Sequence, residues 1–160
     1  MRSLTIIVLV LTLPLAALLA QSGGTPCGAT PHVEAVGAST SGAFGAPTLA
    51  GIGVPQVGVP NSFHFEIDTG VPFGSGVLWL ARTEQPLFSP TYGATLWGPF
   101  TVSVLFQCDV NGHASVMPGR TSHALNKLCG LDLIAQATLL DFTGPGGATW
   151  TNGLRFRFGA

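Results

Sequence analysis

The sequence predicts an all-β protein built as a single β-sandwich, of jelly-roll or immunoglobulin-like type, with about eight mostly antiparallel strands. First, short apolar runs recur along the chain, and each ends at Gly, Pro or Asn, as strands joined by tight turns do. Second, the chain contains 22 Gly and 12 Pro, and only 8% of its residues are charged. Third, 46% of the residues are hydrophobic, which supplies a core that disordered chains rich in Gly and Pro lack.

Eight segments are predicted as strands because they are apolar or alternating and are bounded by turn residues. They are 47–53, 61–68, 76–82, 94–97, 101–109, 113–117, 131–140 and 153–158. Pro55, Pro60 and Pro72 fall between strands, where a missing backbone N–H does little harm. The segments 21–46 and 143–149 are predicted as loops, and 120–128 as one helical turn or an irregular crossover.

The alternation within two of these strands predicts which side chains enter the core. In 61–68, Phe63, Phe65 and Ile67 alternate with polar residues, so they should share one buried face. In 153–158, Arg155 and Arg157 alternate with apolar residues in the same way. Each of these strands should therefore have one face against the core and one face in water.

The strand at 76–82 has a different pattern, because Val77 to Ala81 are apolar on both faces. Such a strand is predicted to be central in its sheet or covered by a loop. Trp79 is therefore expected to be a core residue.

The stretch 106–116 (FQCDVNGHASV) looks rich in chemistry, but its spacing is that of a hairpin turn. Asp109 suits the first position of a type I turn, and Gly112 suits the left-handed position that closes a three-residue loop. The predicted register pairs Asp109 with His113, Cys108 with Ala114, and Phe106 with Val116, which places the apolar side chains on one face. A calcium loop of the EF-hand type would need Gly at its sixth position and Glu at its twelfth, and neither is present.

Residues 1–20 are predicted to be a signal peptide. Arg2 is followed by an uncharged apolar run, and the small residue Ala20 precedes a polar segment. A retained membrane anchor is the alternative, but the apolar run is only about 17 residues long and contains Pro14. The protein is therefore expected to be secreted or held at the cell surface or envelope.

The remaining chain suits one domain, with residues 21–46 as an N-terminal loop region and 47–160 as the β-sandwich domain. Without Arg2, five basic residues stand against seven acidic ones, and no basic patch is present. Nucleic acid is therefore not an expected partner, and no membrane contact is expected after signal cleavage.

Three cysteines, Cys27, Cys108 and Cys129, are candidates for disulfide formation. In an exported protein at least one pair is expected to be oxidised, and spacing alone does not choose among the three pairings. No C-x-x-C pair occurs, so neither a zinc site nor a redox site is predicted.

Two groups of residues are candidates for binding. His64, Glu66 and Asp68 share a strand face at two-residue spacing and could hold a divalent cation, although a solvent-facing strand produces the same pattern. Aromatic residues near turns could form a platform for sugar rings, although aromatics also fill ordinary sandwich cores. The aromatic candidates are Tyr92, Trp97 and Trp150.

No catalytic residue and no cofactor are predicted. The motifs G-x-S-x-G and H-E-x-x-H are absent, and the segment 37–41 (GASTS) only approaches the first of them. A triad assembled from distant residues remains a separate hypothesis.

A series of short motifs, in order along residues 27–159, resembles a recurrent exported bacterial all-β domain of unknown function. The motifs are an early cysteine, P-x-L followed by G-x-P-x-x-G, a D-x-x-G turn, a G-x-x-x-x-x-Q strand with a following Asp, and a closing T-N-G-L. Here they are Cys27, Pro47 to Leu49, Gly53 to Gly58, Asp109 to Gly112, Gly130 to Gln136, Asp141, and Thr151 to Leu154. The cysteines depart from the family pattern, so the resemblance implies a secreted all-β module but no disulfide pairing, activity or site.

The sequence therefore favours a non-catalytic secreted or cell-surface structural or interaction module of unknown ligand, with an extracellular glycan and a cell-surface protein as the two partner classes to consider. A carbohydrate-binding module that uses exposed aromatics is the first alternative. A hydrolase with a dispersed site is the second.

Overall fold

The computed structural model describes residues 27–82, 84–117 and 127–160, and these form an all-β protein, as predicted. Within those ranges the strands are β1 (His32–Val36), β2 (Thr48–Gly53), β3 (Phe63–Asp68), β4 (Ser75–Ala81), β5 (Leu87–Ser89), β6 (Ala94–Leu96), β7 (Val102–Gln107), β8 (His113–Val116), β9 (Asp132–Leu140), β10 (Ala148–Trp150) and β11 (Gly153–Arg157). A 3₁₀ turn at Pro145–Gly147 precedes β10.

The strands form two packed antiparallel sheets and one separate hairpin. The large sheet has the order β1-β11-β9-β4-β7, and β10 also pairs with β9. The small sheet has the order β2-β3-β8 and packs against one face of the large sheet. The strands β5 and β6 form a two-stranded hairpin, called the outer hairpin below.

The core between the two sheets is built from the faces that alternation predicted. Phe65 and Ile67 of β3 are fully buried, and Phe156 of β11 faces them at 1% exposure. The ring of Phe156 stacks on Phe63 at 5.5 Å and meets Phe65 edge-on at 5.3 Å. These contacts join one strand of each sheet, so both predicted buried faces are confirmed.

The strand β4 lies between β9 and β7, which agrees with its apolar character on both faces. Leu78 points into the core, whereas Ala81 is 1% exposed but lies on the opposite face of the large sheet, where it pairs with Ile134. Trp79 was expected in the core, but it lies partly exposed on that outer face. Its indole N–H donates a hydrogen bond of 2.8 Å to Thr138 Oγ1.

The turn predicted at Asp109–Gly112 is present, but it joins two sheets rather than two paired strands. Gly112 has a φ of 83°, its N–H donates to the carbonyl of Asp109, and the Asp109 N–H donates to the carbonyl of His113. However, β7 pairs with β4 in the large sheet and β8 pairs with β3 in the small sheet. The predicted pairing of Cys108 with Ala114 and of Phe106 with Val116 is therefore wrong, although all four side chains enter the same core.

All eight predicted strands are present, and three further strands were missed. The segment 21–46, predicted as a loop, contains β1, which pairs with β11. The loop predicted at 143–149 ends where β10 begins, and β5 lies between two predicted strands. The helical turn or crossover predicted at 120–128 lies outside the described residues, except for its last two positions.

A disulfide joins Cys27 to Cys129, two residues that are 102 positions apart in the sequence. The backbone of Cys129 also pairs with that of Phe158 in an isolated β-bridge. The disulfide therefore fixes the start of the described chain beside its end. Cys108 is the free cysteine of the three and is buried.

Candidate functional site

The side chain of Gln136, in the middle of β9, makes three hydrogen bonds. It is fully buried, and its Nε2 donates to the carbonyls of Thr95 and Thr151 at 2.9 and 3.0 Å. Its Oε1 accepts a hydrogen bond of 3.2 Å from the N–H of Trp97. Gln136 therefore ties the outer hairpin to the large sheet, which is a structural task.

A β-bulge follows at the T-N-G-L motif. Trp150 pairs with Thr138 and Leu154 pairs with Ala135, so three residues lie opposite two at this point. The hydroxyl of Thr151, a fully buried residue, accepts a hydrogen bond of 2.9 Å from the N–H of Ala137. At the bulge, the Thr151 side chain thus takes the place of a backbone carbonyl as the hydrogen-bond acceptor for β9.

Asn152, at the same bulge, links the two sheets. Its Oδ1 accepts from the N–H of Leu49 at 2.9 Å, and its Nδ2 donates to the carbonyl of Leu49 at 3.0 Å. The carboxamide therefore pairs with β2 as another strand would. Since Leu49 is 2% exposed, its backbone groups would otherwise be buried without a partner.

The remaining motifs of the resemblance also serve the fold. Gly53 has a φ of 87°, and a Cβ there would lie 2.1 Å from the carbonyl oxygen of Ser62. Pro55 is fully buried, and its carbonyl accepts from Gly159. Asp141, 7% exposed, accepts a hydrogen bond of 2.9 Å from the N–H of Thr143.

The metal candidates on β3 form separate pairs rather than a cluster. His64 Nε2 and Glu66 Oε1 are 2.9 Å apart, whereas Asp68 Oδ2 lies 3.7 Å from Nδ1 of His113 on β8. Across residues 27–82, 84–117 and 127–160, no group of three or more His, Cys, Asp or Glu side chains is arranged to hold a metal ion. The geometry is that of a polar sheet face with local contacts.

The three aromatic candidates do not form one open face. Trp150 is 8% exposed and lies against Tyr92, with ring centroids 5.6 Å apart. Trp97 packs directly against the backbone of Gly37 and Gly153. A Cβ at Gly37 would lie 2.5 Å from the indole ring, and a Cβ at Gly153 would lie 2.8 Å from it. The indole N–H groups of both tryptophans are buried, so they do not reach a sugar hydroxyl at the surface. The expected exposure of Trp150 is therefore wrong, because the bulge and the outer hairpin cover it.

The segment that approaches a nucleophile motif, 37–41, supports the bulge instead. Thr40 Oγ1 accepts a hydrogen bond of 2.7 Å from the N–H of Trp150. Ser39 Oγ accepts a hydrogen bond of 3.1 Å from the N–H of Asn152. Both hydroxyls are thus used in holding the chain rather than being directed at a substrate.

The turn at residues 109–113 stabilises the charged form of the Asp109 carboxylate. The pKa of the Asp109 carboxyl is lowered mainly by the backbone N–H groups of His113 and Asn111, which donate to its Oδ1 at 3.0 and 2.8 Å. Burial raises the pKa of the neighbouring Cys108 thiol, which lies 3.6 Å from the Thr69 hydroxyl. Burial therefore favours the protonated thiol over the thiolate, which is the more nucleophilic form.

A charged ladder on the outer face of β1, β11 and β9 was missed by the sequence analysis. Arg155 donates to Glu34 at 2.6 Å and also pairs with Glu84. Arg157 donates to both carboxylate oxygens of Asp132, which lowers the pKa of that carboxyl. The alternation of the two arginines was visible in the sequence, but their acidic partners depend on which strands are neighbours.

No family model matches the chain, and no curated protein or solved structure matches it either. Within the part of the chain that the structure describes, no helix has the length and apolar character needed to span a membrane.

Proposed function

We propose that the protein is a non-catalytic, exported interaction module that acts through its surface rather than through bond-making chemistry. One observation carries this proposal: the polar residues that look most like chemistry are engaged in the fold. Gln136, Thr151 and Asn152 are bonded to backbone groups. The Asp109 carboxylate is bonded to its own turn.

Export is supported by the hydrophobic N-terminal segment and by the disulfide between Cys27 and Cys129, because disulfides persist in oxidising compartments. The test is to express the full chain with a C-terminal tag in a bacterial host and to determine where it accumulates and where its N-terminus lies. We expect an extracellular or envelope form that starts near Gln21. Leu11→Arg should keep the protein in the cytoplasm, whereas Arg2→Lys should not. Cytoplasmic accumulation of the unmodified chain would refute export.

Between the two expected partner classes, a cell-surface protein is favoured over a glycan. Of the three aromatic candidates, Trp150 is buried and Tyr92 and Trp97 are half-buried, so they offer no open stacking platform. The exposed large side chains are apolar ones of both kinds, aliphatic at Leu105 and aromatic at Phe142, and an apolar protein surface suits them better than a polar sugar does. A glycan array with the processed protein, run with and without calcium, should show no specific binding. A glycan signal that disappears in Tyr92→Ala would restore the carbohydrate-binding alternative.

A further inference from the structure

The strand β7 is an unprotected sheet edge. Within the described ranges it pairs with β4 on one side only, over six consecutive residue pairs without a bulge. Its sequence, VSVLFQ, contains no charged residue and no proline. Leu105 is 83% exposed and Val102 is 52% exposed. Natural proteins usually protect such edges with charges, prolines or bulges. Residues 102–107 contain none of these devices. An irregular contact stands just before the strand, where the N–H of Thr101 donates to the carbonyl of Leu80, the residue paired with Val102.

The hydrogen-bond pattern shows which backbone groups face outward. The N–H of Cys108 donates to the carbonyl of Gly74 at 2.7 Å, in register with the β4–β7 pairing. In an antiparallel ladder, alternate residues bond to the same neighbour, so the even-numbered residues of β7 bond to β4. The N–H and C=O groups of Ser103, Leu105 and Gln107 therefore point to the open edge.

We infer that β7 pairs with β7 of a second copy of this chain and forms a two-fold dimer with a continuous sheet. With Leu105 on the two-fold axis, each Leu105 bonds to its equivalent, and Ser103 of one copy lies opposite Gln107 of the other. In this register every outward N–H and C=O of the three residues finds a partner, as a self-complementary interface requires. This inference rests on the proposed interaction function and names its partner.

Two charge arguments favour a second copy over a different protein. Because the β7 edge is uncharged, it does not selectively attract a partner that carries charge. When the edge pairs with itself, no like charges come together. The processed chain, without Arg2, has five basic and seven acidic residues, a formal net charge of −2, so repulsion between copies is small.

Analytical ultracentrifugation of the processed protein over a wide concentration range tests the inference. We expect reversible dimerisation that does not continue to larger species. Leu105→Lys should shift the protein to monomers, because it places two ammonium groups beside each other at the axis. The matched control is Leu87→Lys, which alters another exposed leucine (67% against 83% for Leu105) on the outer hairpin and should leave the dimer intact.

A cross-linking experiment guards against a misfolded lysine variant. Hydrogen-bonded antiparallel partners have Cα atoms about 5.5 Å apart, which is within disulfide range. Leu105→Cys should therefore form a disulfide-linked dimer on mild oxidation, whereas Leu87→Cys should not.

The outcomes separate this inference from the proposed function. A wild-type protein that is monomeric throughout, an open-ended polymer, or equal effects of the two lysine variants would each overturn β7 pairing. A monomer that is still exported and binds another surface protein would leave the interaction function standing. A β7-paired dimer that is found in the cytoplasm would support the pairing and refute export.

Discussion

At the scale of single residues, Gly112 shows how one position determines the path of the chain. Its φ of 83° lies in the left-handed region, which residues with a Cβ adopt at a cost of about 1–2 kcal/mol. In addition, a Cβ at this position would lie 2.8 Å from the backbone of Gly70 and Val71. Conformation and space therefore both require glycine at the corner between the two sheets.

These two requirements can be separated experimentally. Gly58 has a similar φ of 78°, but a Cβ there would meet nothing within 4 Å. Gly58→Ala should therefore cost only the conformational term, about 1–2 kcal/mol. Gly112→Ala should cost about 1–3 kcal/mol more, because the backbone of 70–71 must move. Urea denaturation measures both values, and equal losses would show that the corner tolerates a side chain.

The two faces of β3 give a second prediction at this scale. Phe65 is fully buried between two aromatic neighbours, so Phe65→Ala should lower the free energy of unfolding by about 3–5 kcal/mol. His64 lies on the polar face, where its side chain is 27% exposed and contacts Glu66. His64→Ala should therefore change stability by less than about 1 kcal/mol. Thermal unfolding compares the two variants, and similar losses would mean that the faces are assigned wrongly.

At the scale of elements, sequence patterns located strands better than they located partners. The alternating and apolar runs identified β3, β4 and β11, because side-chain periodicity is a local property. Of the two three-residue strands of the outer hairpin, β6 was predicted, whereas β5 was missed because its run LFS, between Pro86 and Pro90, shows no clear alternation. The pairing predicted between the strands that flank Asp109 was wrong, because nothing local distinguishes a hairpin from a corner where the chain changes sheets.

The same limit explains what the sequence revealed about the candidate site. Gln136 occurs in the apolar run LDLIAQATLL, and a polar residue within a buried strand was a visible irregularity. Its partners, Thr95, Trp97 and Thr151, come from the outer hairpin and from the bulge. Those elements are brought together only by the tertiary fold, so their shared contact with Gln136 could not be inferred.

The structural role assigned to Gln136 can be measured. Gln136→Leu keeps the approximate volume but leaves one buried N–H and two carbonyls without this partner, each costing about 1–3 kcal/mol if unsatisfied. We expect a total loss of about 3 kcal/mol or more in the free energy of unfolding, since the outer hairpin also loosens. The control is Gln85→Leu, an exposed position outside β7 that should be close to neutral. A stable Gln136→Leu variant that lost a binding activity would instead indicate a functional glutamine.

At the scale of the whole molecule, two long-range links hold two sheets of unequal size together, and a third ties down the start of the described chain. The aromatic core joins β3 to β11, and the Asn152 carboxamide joins the bulge to β2. The disulfide joins Cys27 to Cys129, which lies beside Phe158 near the C-terminus. Each link connects segments that are far apart in sequence. The fold therefore depends on contacts that need the C-terminal segment of the chain. Residues from 148 onward form the first two links and lie beside the third.

The disulfide is the link whose removal changes no core side chain. Its loop spans 102 residues, and a cross-link of that size restricts the unfolded chain by about 4–5 kcal/mol in the chain-entropy view. Replacing Cys27 and Cys129 together by Ser should therefore lower the free energy of unfolding by about 2–5 kcal/mol. Cys108→Ala keeps the bond and should cost less. Thiol titration provides the independent check: without reductant, the native protein should expose no reactive thiol because Cys108 is 3% exposed, and the unfolded protein should expose one. Three thiols after unfolding would show that the pair is reduced, and the predicted difference in stability would then vanish.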